Sequence, residues 1–386
     1  MKRIRVLFLI VSALLPISAA AQGSNHGDGG QDGDYTSLSE RLFNLEKKHH
    51  ASGVYIDYAS SFQTENSDNQ WSGAFRARNL RLEIKGEVGD HLTYRLRQRL
   101  NTSSAPGSWE QFSRATDFMM LGWKFNDRFT LLGGKMCQYW GGYDYDENPL
   151  FIYQYCDQLN AMEIFYAGAA FAWYPAKGQE VVFNVTNSYN NNFADEYPGG
   201  AILADGTSTQ AADFPLSYIL AWNGHIGSHL ETRWGAGFIN QAKGFKNYMA
   251  LLGQKLVYPT FQVYLDLGWS LEQMDRLMIA TRELGTAGVL KDVIYKSAVV
   301  KSNWQFSPGW NLMTKLMYDA ASTPDYQDYR TAFGYLGSLE YYPIKDQDLR
   351  VFVAYIGHNA WYTVNTVTGG NTGRLEIGLM YRIKAY

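Results

Sequence analysis

The sequence predicts an all-β chain: a transmembrane antiparallel β-barrel of about sixteen strands, preceded by a short N-terminal helical segment. Three observations predict it. Apolar and polar residues alternate from residue 53 to the C-terminus. Short turns and mostly longer polar connections take turns along the chain. Aromatic residues make up 15% of the 386 residues, with 37 Gly and only 10 Pro, which suits strands joined by tight turns and flanked by aromatic belts at two membrane interfaces.

Residues 1–21 read as a secretory signal. Lys2, Arg3 and Arg5 precede the apolar run from Val6 to Leu15, and Ala19-Ala20-Ala21 supplies a small-residue cleavage site before Gln22. Export to the cell outer membrane through the periplasm is the expected route. Residues 22–50 form a polar leader and a short helix. The leader is low-complexity, of Gly, Asp, Asn, Gln and Ser, with nothing to bury. Leu38, Leu42 and Leu45 then fall at helical spacing among charged neighbours, too short a helix to stand alone.

Residues 51–386 form the barrel. The segment 259–270 alternates cleanly: Phe261, Val263, Leu265, Leu267 and Trp269 oppose Gln262, Tyr264, Asp266, Gly268 and Ser270. In 92–100, Leu92, Tyr94, Leu96 and Leu100 oppose Thr93, Arg95, Arg97 and Arg99. The segments 310–319, 349–355 and 375–383 behave alike. Turn-like connections sit at 86–90, 125–128, 175–179, 224–228, 256–259, 307–309 and 343–347. Longer ones are expected near 63–72, 102–114, 138–160, 190–213, 271–291, 320–328 and 358–373, with one short link near 242–246. Such sorting by length belongs to barrels with short turns on one side of a membrane and loops on the other. About sixteen strands leave an aqueous channel, whereas eight would be filled by side chains.

Mean hydropathy is −0.30, as expected where every second strand residue faces a polar lumen. A net charge of −3 gives no basic footprint for nucleic acid. The expected partners are a lipid bilayer or lipopolysaccharide membrane and small solutes. No G-x-S-x-G, H-E-x-x-H or phosphate-binding loop occurs, so no turnover chemistry, cofactor or metal is expected. A barrel enzyme or a non-conducting binding protein are the rival readings.

Two constellations bear on solute passage. Arg76, Arg78 and Arg81 on one strand neighbour Arg95, Arg97 and Arg99 on the next. Alternation places guanidinium groups in a column, each a permanent charge with forked donors. The parity slips near Asn79, which predicts a β-bulge there or a rim position for the first two. The second is the long connection 139–157, YWGGYDYDENPLFIYQYCD. Asp144, Asp146, Glu147 and Asp157 interleave with Trp140, Tyr143, Tyr145, Tyr153 and Tyr155. If it folds inward it narrows the lumen: its carboxylates would oppose the arginines and its aromatics would favour sugar-like solutes by stacking. Asp144, Asp146 and Glu147 also suggest a Ca²⁺ site, but the spacing lacks the D-x-[DN]-x-[DN]-G pattern. Cys137 and Cys156, the only cysteines, are a possible disulfide in an exported chain.

The run GAFRARNLRLEIKGEVGDHLTYRLRQRL, 73–100, resembles the signature region of the phosphate-selective porin O and P family: an arginine-rich second strand, a Gly-containing turn and the third strand. LLGGKMCQYWGGYDYDENP, 131–149, is similar to the family's fifth strand ending in Gly-Lys before the third loop, and LSERLFNLEKK, 38–48, to its N-terminal helical segment. The resemblance implies a homotrimeric sixteen-strand barrel passing anions by diffusion, with Arg81, Arg95, Arg97 and Arg99 on the pore wall. The family's lysine-rich phosphate clusters have no counterpart, because the third loop here is acidic and aromatic. A weakly anion-preferring pore is therefore expected, with an aromatic-lined sugar pore as the alternative.

Overall fold

Alternation from residue 53 onward resolves into sixteen strands. The computed structural model describes residues 52–385, apart from 68–69, 198–200 and 345–346. The expected signal, its Ala21–Gln22 cleavage point and the 38–48 helix lie outside the described residues. The first half comprises β1 (Gly53–Ser67), β2 (Gln70–Val88), β3 (Leu92–Arg99), β4 (Thr116–Asn126), β5 (Phe129–Cys137), β6 (Phe165–Trp173), β7 (Gln179–Asn187) and β8 (Leu216–Ile226). The second comprises β9 (Leu230–Ala242), β10 (Phe245–Val257), β11 (Phe261–Glu272), β12 (Val293–Ser307), β13 (Trp310–Ser322), β14 (Arg330–Tyr341), β15 (Asp348–Tyr362) and β16 (Gly370–Lys384).

Each strand pairs antiparallel with its sequence neighbours, and β1 pairs with β16 from Tyr55↔Lys384 to Ser67↔Thr372, closing the barrel. Closure matters because hydrocarbon offers no partner to an unpaired strand edge. The faces follow the alternation. Leu267 and Trp269 are 43% and 41% exposed on the outside, whereas Tyr264 and Asp266 are 6% and 3% exposed within. Outward aromatics gather at both ends: Trp173, Tyr258, Trp304 and Tyr341 near the short turns, and Tyr248, Trp269, Tyr318 and Trp361 near the loops. These are the two belts of a membrane barrel.

The connections sort as expected, with one correction. The link between β1 and β2 is two residues, not a polar loop over 63–72. Pairing continues through Glu65↔Ser72 and Asn66↔Trp71. Most residues at this tip are exposed, including Trp71 at 70% and Phe75 at 85%, so no buried face imposes the apolar alternation that marks a strand. The β9–β10 link is also two residues, 243–244.

Candidate functional site: the lumen wall and the inserted loop

The register of β2 decides where its arginines point. Tyr58↔Leu80 and Ala59↔Asn79 pair, but Ser60 pairs with Ala77, so Arg78 is the extra residue of a β-bulge. The bulge restores parity, and Arg76, opposite the buried Ser61, joins Arg81 on the lumen face. Opposite pairs then set like charges side by side: Arg81↔Arg99 and Lys85↔Arg95. Such pairs repel unless acids intervene.

They do intervene. Asp117 of β4, fully buried, accepts from Nε of Arg81 at 2.9 Å, Arg97 at 2.9 Å and Arg99 at 2.7 Å. Glu83 accepts from Arg95 at 2.6 Å and from Arg382 of β16 at 2.5 Å. Asp57 accepts from Arg382 at 2.9 Å. The guanidinium groups of Arg95 and Arg97 also lie 4.0 and 4.6 Å from the Phe118 ring centre, a further attraction for cations in a dry site. The wall is cross-linked, yet its cations outnumber its carboxylates.

The loop 138–164, between β5 and β6, folds into the lumen. Two glycines let it turn inward: Gly141 and Gly142 have φ of 85° and 79°, and a Cβ on Gly142 would stand 2.2 Å from Leu251 Cδ2. Two wall aspartates then hold two single helical turns by their exposed N–H groups. Asp266 Oδ2 accepts from the backbone N of Tyr143 at 2.8 Å and of Asp144 at 2.7 Å, at the start of the turn Tyr143–Asp146. Asp319 does the same for Asp157 at 3.1 Å and Gln158 at 3.0 Å, at the start of Asp157–Asn160.

The loop's carboxylates meet cations on separate strands. Asp144 takes Lys315 Nζ at 2.6 Å and the Tyr264 hydroxyl at 2.9 Å. Asp146 pairs with Arg233 at 3.1 Å, and Glu147 with Lys301 at 2.5 Å. Asp157 pairs with Arg330 and lies 3.0 Å from His358 Nε2. Burial pushes the Asp157 carboxyl up, but the His358 hydrogen bond and the Arg330 charge outweigh it and hold it below the usual range. Because Asp144, Asp146 and Glu147 diverge to β13, β9 and β12, they do not share a Ca²⁺ ligand set. No group of three or more metal-ligating side chains forms among the described residues.

The aromatics divide. Tyr143 stacks on Tyr264 with ring centres 5.7 Å apart, and Arg233 lies 4.7 Å from its ring. Tyr145 is buried beside the Cys137 thiol. Trp140 is fully buried, its Nε1 donating to Gln138, so its ring offers no stacking face to a solute. The two cysteines are free and buried, so the possible disulfide is not formed. Cys137 ends β5 beside Tyr145 and Asp146, whereas Cys156 lies near Asp319 and Asp144 on the β13 side, where burial pushes its thiol well up.

Between the arginine wall and the loop lies a cleft of about 140 Å³. Its lining carries six cations, Lys85, Arg95, Arg97, Arg233, Lys255 and Arg382, against two carboxylates, Asp146 and Glu147. Sequence reasoning placed Arg95 and Arg97 there but missed Lys85, Arg233, Lys255 and Arg382. Parity was the available signal for Lys85 and Arg382, which share faces with Glu83 and Glu376.

The profile of phosphate-selective porin O and P matches residues 51–383. No curated protein matches the chain. Solved structures that resemble it include OmpT of Vibrio cholerae (TM-score 0.56, 10% identity, 88% of this chain and 99% of that one). The outer membrane channel DcaP of Acinetobacter baumannii gives a TM-score of 0.59 at 9% identity, over 86% of this chain and 96% of that one. A trimer form of in-vitro folded OmpT from Vibrio cholerae gives 0.55 at 10% identity, over 86% and 100%. At these identities the likeness is one of fold.

Proposed function

The chain belongs to the phosphate-selective porin O and P family, an outer-membrane pore for passive diffusion, and from that premise we propose that it passes small solutes with a weak preference for anions. One observation carries this reading: the cleft lining of six cations against two carboxylates. The loop acids do not offset the arginine wall: Asp146 and Glu147 are taken up by Arg233 and Lys301, and Arg81, Arg95, Arg97, Arg99 and Arg382 share only Asp57, Glu83 and Asp117. A unit charge 4 Å from another is worth about 4 kcal/mol at an effective dielectric of 20. Screening within about 10 Å at 0.1 M salt keeps the preference weak. Among the described residues no lysine-rich cluster supplies a dedicated phosphate site. Reversal potential in a KCl gradient tests the reading. Weak anion selectivity is expected, with Arg97→Glu shifting permeability towards cations. A strongly cation-selective wild type would overturn it.

The same reading takes residues 1–21 as the export signal and the working unit as a homotrimer. Supporting the trimer, a structure of similar fold, in-vitro folded OmpT of Vibrio cholerae, has a trimer form. The mass of the detergent-extracted particle decides: three chains are expected, and a stable monomer refutes the assembly.

A further inference from the structure

A second hollow, about 80 Å³, opens on the opposite wall, between the inserted loop and the short-turn ends of β11 to β15. Its chemistry differs from that of the arginine cleft. Four carboxamides line it from three adjacent strands: Gln262 of β11, Asn303 and Gln305 of β12, and Asn311 of β13. Its formal charges cancel. Lys301 is bound by Glu147 at 2.5 Å, and Arg350 by Glu340 at 3.2 Å. Arg350 is further held between aromatic rings, 4.4 Å from the Phe151 centre and 5.0 Å from Tyr342. Asn311 Nδ2 donates to Glu340 at 3.0 Å and to Asn303 Oδ1 at 3.3 Å, which fixes the amide row. Phe151 and Met313 supply apolar wall beside it.

A carboxamide both donates and accepts, as a hydroxyl does, and a neutral lining neither attracts nor repels ions. Apolar wall next to such groups is what the C–H face of a hydroxylated molecule requires. We propose that this hollow is a subsite for small uncharged polyhydroxylated solutes, of the size of a pentitol, lying beside the anion path. The two hollows share Glu147, Gln262 and Asn303, so an occupant of one partly obstructs the other.

That obstruction is the readout. Xylitol, added on the short-turn side of single channels in a planar bilayer, should reduce chloride current saturably. The reduction should exceed that of a polyethylene glycol too large to enter, matched for viscosity. Each channel's xylitol-free current is its own reference. The double variant Gln305→Met and Asn311→Leu keeps similar side-chain length but removes two amides. At about 0.5–1.5 kcal/mol per hydrogen bond, half-saturation should rise roughly tenfold. Arg97→Glu should keep the xylitol effect while changing ion selectivity, which separates this subsite from the anion reading. Linear, viscosity-like dependence in the wild type overturns the proposal, as does an unaltered xylitol effect in the double variant. If the double variant fails to insert, Gln305→Met alone is read the same way.

Discussion

Replacing Asp117 with asparagine should destabilise the barrel by about 3–5 kcal/mol, the usual cost of removing one partner from a buried ion pair, and should raise anion selectivity at the same time. Asp117 is fully buried and is the common acceptor for Arg81, Arg97 and Arg99. Asparagine preserves shape and one acceptor oxygen but no charge, so three guanidinium groups face one another with no negative charge between them. The wall then carries one more net positive charge than before. The midpoint of urea unfolding in detergent and the KCl reversal potential report the two effects. Lower stability with unchanged selectivity would mean that these arginines brace the wall and do not meet the permeating ion.

The second large effect concerns the loop. Asp266→Asn combined with Asp319→Asn should free it from the wall and raise single-channel conductance. Between them the carboxylates accept four backbone N–H bonds. Hydrogen bonds to a charged group are worth about 1.5–3 kcal/mol each and neutral ones about 0.5–1.5, so the pair weakens the attachment by about 1 kcal/mol or more per bond. An asparagine oxygen still accepts, but without charge and with an NH₂ group that competes for the same space. Larger, noisier currents are expected. A conductance equal to the wild type's would show that the ion pairs of Asp144, Asp146, Glu147 and Asp157 hold the loop unaided.

The strand count, the closed barrel and the two faces were legible because alternation is a local signal. Leu265, Leu267 and Trp269 point outward for the same reason they stand two apart in sequence. The bulge at Arg78 was legible too, as a slip of parity. What was hidden is everything that depends on which wall the loop reaches. Nothing local to Asp144 marks Lys315 as its partner 171 residues away. Asp266 and Asp319 read as ordinary lumen polar residues until the loop's backbone is placed against them. The β1–β2 tip was misjudged because residues exposed on both faces carry no pattern. Number and compartment leave a disulfide between the cysteines possible but carry no distance that would decide it.

The closing seam between β1 and β16 bears on the order of assembly. Its partners are more than three hundred residues apart, so it is the contact with the largest loop to close and the slowest to form. The inserted loop touches both sides of it: Asn148 reaches Asp57 on β1, and Arg374 on β16 reaches the carbonyl of Tyr153. A segment tied to both lips acts as an internal strap, so the contacts of Asn148 and Tyr153 add to the strand pairing that holds the seam shut.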